Sequence, residues 1–228
     1  AEGQGYRKRG GELKGVITIA GHGTRFLPAA KAVPKEMFPI AGIPLIQYHV
    51  EGLVAAGITE IIIVVRDGSE VVRRHFAPNP SLEEHLQASG KEELLERMRR
   101  ISSMAEIIFV RQSEALPYGN ASPALAAGPW LTPGEPFYYM FGDDLIITDD
   151  PVPRQLRRAF EARQPVAVVG ASRIPYEETH LYGCVAPKPG TEDEVASIVE
   201  KPAPGTAPSN LVQAGHFIFG PDLFDVLQ

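Results

Sequence analysis

Apolar positions along the chain fall into short blocks divided by glycine, proline and charged residues, and the period within each block names the element it predicts. Residues 16–20 (VITIA) form a β-branched run that stops at Gly21, and 61–65 (IIIVV) are apolar at every position. A strand apolar on both sides belongs in a sheet that is covered on both sides. Between these runs Leu45, Ile46, Val50, Leu53 and Val54 recur at helical spacing, which predicts a helix over 45–56 closed by Gly57. Further on come a short helix over 70–76, a charged amphipathic stretch over 82–101 divided at Gly90, and a strand over 107–110. A short helix over 122–127 leads to a strand over 137–141 that runs into Gly142-Asp143-Asp144. A helix over 152–162 and a buried strand over 166–169 follow. From Tyr182 the pattern changes to short strands over 183–186, 195–199 and 216–219, before a last helix over 221–227.

Strands that alternate with helices predict an α/β fold. The expected architecture is a Rossmann-like mixed, mainly parallel sheet with helices on both faces, and a small strand-rich subdomain formed by the later strands. Residues 1–14 are polar and glycine-rich, without the apolar centre of a signal peptide, and read as a flexible N-terminal arm. The remainder, 15–228, reads as one domain, because 202–208 is a proline-rich loop rather than a linker.

Composition removes several classes of function. The net charge is −6, which argues against non-specific nucleic-acid binding; a few local cations still suffice for a phosphorylated small molecule. Cys184 is the only cysteine, so neither an intrachain disulfide nor a cysteine-based zinc site forms, and a cytoplasmic setting is expected. No run of 18 apolar residues occurs, so a membrane partner is not expected. The histidines show no metalloprotease spacing, and no nucleophile-elbow serine motif is present.

Candidate chemistry concentrates in the first loop, Gly21-His-Gly-Thr-Arg-Phe-Leu-Pro28, and in Lys31-Ala-Val-Pro-Lys-Glu36. It sits at the carboxyl end of the first strand, where open α/β sheets bind ligands. Gly21 and Gly23 let backbone N–H groups approach phosphate oxygens. Two such glycines alone more often make a tight connection, but Arg25, Lys31 and Lys35 add the cations a polyphosphate needs. The loop is neither a Walker A sequence nor a complete G-x-G-x-x-G. Gly142-Asp143-Asp144 places carboxylates at a strand end, which suits Mg²⁺ held together with substrate phosphates. Most Gly-Asp pairs are turns or caps; here two adjacent acids repel unless a cation lies between them. Glu200-Lys201 offers a hydrogen-bond acceptor and a cation, although such a pair is usually a solvated surface pair.

The order of residues over 21–36 resembles the signature of sugar-1-phosphate nucleotidyltransferases. Pro44-Leu-Ile-Gln-Tyr48 and the segment 81–95 (SLEEHLQASGKEELL) resemble one branch, the bacterial UTP–glucose-1-phosphate uridylyltransferases. The resemblance runs from about Lys14 to Gln228. It implies Mg²⁺-assisted transfer of a uridylyl group from UTP to glucose 1-phosphate, with Asp143 on the metal. It implies catalytic roles for Arg25, Lys35 and Lys201, and nucleotide contacts from Ala20, Gly21, Gly23, Thr24, Glu36, Gln112 and Gly119. Asp144, Gly183 after Tyr182, Glu200 and Lys201 would then face the sugar phosphate, with Ala214-Gly215 as a sugar-side turn. UTP and glucose 1-phosphate are the implied partners, with a homo-oligomer left open.

Two departures from the family pattern stand out. Residues 117–121 read Pro-Tyr-Gly-Asn-Ala, so Pro117 replaces a glycine whose N–H the family is thought to direct at the base, and proline has no N–H. The 228 residues also stop before the C-terminal segment in which the family carries a second metal-binding aspartate. Two other readings therefore stay open: transfer of another nucleotide such as dTTP, or onto another sugar phosphate, and a nucleotide-sugar-binding homologue without turnover.

Overall fold

A computed structural model describes residues 13–66, 70–116, 119–191 and 193–227. Nearly all of the predicted N-terminal arm lies outside the described residues. In chain order the elements are β1 (Lys14–Ile19), a small hairpin of β2 (Pro39–Ile40) and β3 (Ile43–Pro44), α1 (Leu45–Ala55), β4 (Glu60–Val65) and α2 (Glu70–Phe76). Next come α3 (Pro80–Ala88), α4 (Glu92–Ser103), β5 (Glu106–Arg111), α5 (Ala121–Ala127), β6 (Phe137–Phe141) and α6 (Val152–Arg163). The chain continues with β7 (Ala167–Arg173), β8 (Gly183–Pro187), β9 (Val195–Glu200), β10 (Leu211–Phe219) and α7 (Leu223–Val226).

The main sheet has the order β5-β4-β1-β6-β10-β8-β9, with β7 also pairing β10. β5, β4, β1 and β6 are mutually parallel, and β10 joins β6 antiparallel. Alternation along the central strands divides two apolar layers. Ile17, Ile19, Ile61, Ile63, Tyr138 and Met140 face α1, α2, α4 and α6, whereas Val16, Ile62, Val64, Phe137 and Tyr139 face α5 and the α7 turn. Residues 61–65 are buried at every position, as an apolar run between two helical layers requires. The mainly parallel sheet with helices on both faces matches the expected fold class. A separate small core of Cys184, Ala207 and Val212 marks the later, strand-rich part. No helix among the described residues is long and apolar enough to cross a membrane.

Several boundaries differ from expectation for identifiable reasons. The stretch 82–101 divides at Gly90 as expected, where φ is 64°, but its first helix starts earlier, at Pro80, because Asn79 caps it by accepting from the Leu82 N–H at 3.2 Å, and its second runs on to Ser103. The strand expected over 166–169 is not fully buried: Val166 is 71 % exposed, and the strand instead starts at Ala167 and continues to Arg173 along β10. β10 itself begins at Leu211, since its first half pairs with β7 and β8 before an irregularity between Gln213 and Phe217. The last helix is a single turn over Leu223–Val226.

The β2–β3 hairpin fixes the entry to α1; the Leu45 N–H donates to the Phe38 carbonyl at 3.2 Å. Its turn puts Ala41 at φ 51° and Gly42 at φ 83°. Two consecutive left-handed residues favour Asn-Gly, and alanine there bears a steric cost. Ala41→Asn should therefore stabilise the protein by about 0.5–1 kcal/mol, and Ala41→Val should destabilise it. Urea denaturation reads this as a higher midpoint for the asparagine variant at unchanged slope; a lower midpoint would show that the turn does not disfavour alanine.

Candidate active site

Parallel pairing sends the residues after β1, β4, β5 and β6 to one edge of the sheet. Ala20 and Gly21 emerge there, beside Arg66, Gln112 and Gly142-Asp143-Asp144 in turn. The segment after β1 has no apolar period and folds as three single 3-10 turns, Thr24–Phe26, Ala29–Lys31 and Lys35–Met37. Gly23 has φ 61°, and a Cβ on it would stand 3.2 Å from the Ala30 Cβ; a Cβ on Gly21 would lie 3.9 Å from the Lys35 ammonium. The glycines thus let the loop close over Lys35. Thr24, Arg25 and Lys31 remain exposed on its outside.

Lys35 Nζ donates to Asp143 Oδ2 at 2.5 Å, joining the loop to the end of β6. Gly142, just before, has no room for a side chain: a Cβ would come within 2.8 Å of the Thr18 carbonyl oxygen and run into Ile19. Its N–H donates to that carbonyl at 2.9 Å, and its own carbonyl accepts from His49 Nε2 at 3.0 Å. Glu36 packs beneath, buried to 2 % exposure. Burial pushes the Glu36 carboxyl up to about 7; its own backbone N–H and Lys35 oppose the rise, and the Asp143 charge adds to it. Burial likewise lowers His49 and His216 to about 4, so both imidazoles are neutral at physiological pH. Asp144 is raised, first by burial and then by the neighbouring Asp143 charge, with Lys35 acting the other way.

The later strands supply the other side. Gly183 is opposite Glu200 across β8–β9, and a Cβ on Gly183 would stand 2.9 Å from Glu200 Oε2 and 3.0 Å from Gln213 Cγ. Lys201 takes a left-handed φ of 43°, its N–H donates to the Tyr182 carbonyl at 3.1 Å, and its ammonium lies 3.9 Å from Glu200 Oε1. Gln213 Oε1 accepts from the Gly215 N–H at 3.0 Å. Gly215 has φ 66°, and a side chain on it would overlap the Asp144 carboxylate.

The sequence-predicted residues therefore gather in two groups. Gly21, Gly23, Lys35, Glu36 and Asp143 form one; Gly183, Glu200 and Lys201 form the other; Gln213, Gly215 and Asp144 connect them. Among the described residues no hydrogen bond joins Gln112 or Gly119 to either group. Gln112 is half-buried, with its N–H on the Val65 carbonyl at 2.8 Å, and Gly119 is exposed with open space where a Cβ would be. Pro117 lies outside the described residues. Sequence reasoning missed Arg66, whose Nε donates to the Ala20 carbonyl at 2.9 Å, as well as Gln213, His49 and His216. Only Arg66 carried a signal, its place immediately after an all-apolar strand.

No group of three or more His, Cys, Asp or Glu among the described residues could hold a metal ion. The hard oxygen donors at the β6 mouth nevertheless fit Mg²⁺ of one kind. Asp143 is half-exposed, and its neighbour Asp144 resists ionisation beside it. One carboxylate of this sort suits a cation that arrives with phosphates and keeps its waters, rather than one caged by protein.

A sequence model of the family described as nucleotidyl transferase matches residues 14–228. The UTP–glucose-1-phosphate uridylyltransferase of Bacillus subtilis (strain 168) is 42 % identical over 217 residues, covering 94 % of this chain and 73 % of the relative. The enzyme of the same name from Staphylococcus epidermidis (strain ATCC 12228 / FDA PCI 1200) is 41 % identical over 94 % of this chain and 74 % of its own. Among solved structures, UTP-bound UGPase from Acinetobacter baumannii superposes with a TM-score of 0.85 at 31 % identity, covering 94 % of this chain and 76 % of that one. A UDP-glucose pyrophosphorylase complexed with UDP-glucose gives 0.82 at 32 % identity, covering 94 % and 78 %. A glycine loop closed over Lys35, an aspartate pair at the neighbouring strand end and a match across nearly the whole length thus agree, and the chain belongs to the nucleotidyl transferase family.

Proposed function

We propose that the chain transfers a uridylyl group from UTP to glucose 1-phosphate, giving UDP-glucose and pyrophosphate. The observation that carries this reading is the Lys35–Asp143 contact, which joins a polyphosphate-shaped glycine loop to a carboxylate at the mouth of the sheet. The names of the most similar relatives and structures support the choice of UTP and of the glucosyl phosphate.

The reaction is a displacement at the α-phosphorus. A phosphate oxygen of glucose 1-phosphate forms the new P–O bond, and the bond to the β-phosphate breaks, its electron pair leaving with pyrophosphate. The nucleophile is already an anion, so the residues need not remove a proton. The N–H groups of Gly21 to Thr24 and the Arg25 guanidinium would hold the leaving pyrophosphate, and Ala20, Gln112 and Gly119 the nucleoside side, whereas Glu36, expected there too, is buried beneath the turn and out of a nucleotide's direct reach. Lys35 would follow charge on the transferring phosphoryl group. Gly183 leaves room for the hexose, Glu200 accepts from its hydroxyls, Asp144 lies beside it, and Lys201 neutralises the attacking phosphate. Mg²⁺, held by Asp143 with the nucleotide phosphates, would supply charge neutralisation at the reacting oxygens. What the protein contributes is orientation and preorganised charge.

A direct assay is pyrophosphate release with UTP, dTTP and other nucleotides against a panel of sugar phosphates; no release from any pair would refute the proposed transfer. Asp143→Asn should lower kcat by about 10²-fold, equivalent to about 2.7 kcal/mol, without unfolding the protein. Activity within a factor of three of wild type would remove Asp143 from the metal.

Lys201→Ala should raise the KM for the sugar phosphate about tenfold or more while changing the UTP KM little, since one charged contact of about 1.5–3 kcal/mol is lost. Alanine keeps the Cβ, so the left-handed backbone cost is unchanged and the variant reads the charge alone. A change confined to the UTP KM would reassign the residue.

Glu36 gives a pH signature. Its folded pKa is about 7 against an ordinary 4.5, so the folded state holds its proton more tightly than the unfolded chain. Neither state is penalised below the unfolded value; stability is then lost as pH rises through this window, and the loss is complete above 7. Glu36→Gln removes the cost. The stability of the variant minus that of wild type should be about 2–3 kcal/mol larger at pH 8 than at pH 4.5 in urea titrations. A difference independent of pH would show that Glu36 ionises normally.

A further inference from the structure

The turn that carries Asp143 and Asp144 is held from below by two buried imidazoles that the proposed reaction does not use. His49, on α1, is 3 % exposed, and its Nε2 is 3.0 Å from the Gly142 carbonyl oxygen. A carbonyl only accepts, so Nε2 carries the proton and donates it. Gly142 is thereby fixed at both ends of its backbone, since its N–H donates to the Thr18 carbonyl on β1 at 2.9 Å. His216, on β10, is 4 % exposed, with Nδ1 2.8 Å from the Tyr138 hydroxyl. Its buried Nε2 makes no well-formed hydrogen bond among the described residues, but the imidazole interacts with the Asp144 backbone, which counters part of the lowering of its pKa by burial. It directly follows Gly215, against whose Cα the Asp144 carboxylate packs. The two imidazoles line one pocket of about 260 Å³ together with Met140, Leu145 and Val152. The turn itself is tightly packed at Gly142, and its polar contacts on this side are those of the two imidazoles.

We propose that His49 and His216 are positioning residues that clamp the Gly142–Asp144 turn from beneath, His49 by the Gly142 carbonyl and His216 through the Gly215–Asp144 contact, and so hold the Asp143 carboxylate in place. The two residues come from different elements, α1 and β10, and line the same pocket. A buried imidazole that makes one backbone hydrogen bond is a costly way to fill space, and an aliphatic side chain would leave the Gly142 carbonyl unpaired. Supporting contacts of this kind orient the groups that bind a cation, and their removal typically costs 10–100-fold in affinity or activity. The consequence for catalysis rests on the transfer reaction proposed above; the clamp itself does not.

The test compares His49→Leu, His49→Gln and His216→Phe with wild type in the full chain. Glutamine can present an N–H to the Gly142 carbonyl, leucine cannot, and phenylalanine keeps the volume of His216 while removing its polar edge. Hydrogen–deuterium exchange over residues 140–146 should be about tenfold faster in His49→Leu and His216→Phe, with the rest of the sheet protected as in wild type. Mn²⁺ binding in the presence of a non-hydrolysable UTP analogue, followed by electron paramagnetic resonance, should weaken about 10-fold or more in His49→Leu and recover most of its strength in His49→Gln. The kcat should fall about 10–100-fold in His49→Leu while the UTP KM stays within about twofold. Unchanged exchange at 140–146 in the folded variants, or faster exchange spread evenly over the chain, overturns the proposal and makes the histidines ordinary core residues. If His49→Leu does not fold, the exchange of His216→Phe decides in the same way. Wild type that forms no UDP-glucose refutes the proposed reaction, and the exchange result still decides the clamp.

Discussion

The parallel pairing of β1 with β6 is the constraint on which the site depends. In that pairing Thr18 is level with Phe141, so the glycine loop and the aspartate turn leave the sheet side by side. Everything at the β6 mouth is spaced to this register. Gly142 lacks a Cβ because the β1 backbone is already there, and Glu36 is buried because the turn covers it. The 2.5 Å contact between Lys35 and Asp143 closes the same gap between neighbouring strands. A site made this way needs little from its loops beyond their glycines, since the sheet sets the separation of the charged groups.

Charge at the mouth is arranged in opposition. Lys35 faces two adjacent acids and a buried glutamic acid, and burial raises the pKa of both Glu36 and Asp144. Asp143 is the most exposed of these acids, at the point where solvent has access. This is the arrangement expected of a place where a cation comes and goes with its ligand.

Much of this was legible in the sequence, and the limits have physical causes. The all-apolar run at 61–65 and the run before Gly142 could only be strands covered on both sides, and they led directly to the parallel sheet and to Asp143. The charged loop residues were recognisable by type and order. The three 3-10 turns that place them were not, because turns of three residues leave no period. The strand over 166–169 was expected to be buried on its valines alone, yet pairing with β10 decided its course and left Val166 in solvent. His49 and His216 were invisible for a different reason. Each stands among apolar neighbours, where a histidine changes neither the stripe of a helix nor the alternation of a strand, and only the backbone they face reveals them.

β10 pairs with β7 on both sides of a register shift between Gln213 and Phe217, with β8 before the shift and with β6 after it. That irregularity has a mechanical meaning. The link to β8 is a single paired position, Val212 with Cys184, on the far side of the shift from the β6 pairing. Bending there would require β7, which spans the shift, to bend with β10, and would carry Gly183, Glu200 and Lys201 with the small core of Cys184, Ala207 and Val212, while β6 and Asp143 stayed in register with β1. Because Gly215 lies within the shift and abuts Asp144, a change of angle there would bear directly on the aspartate turn without any further relay.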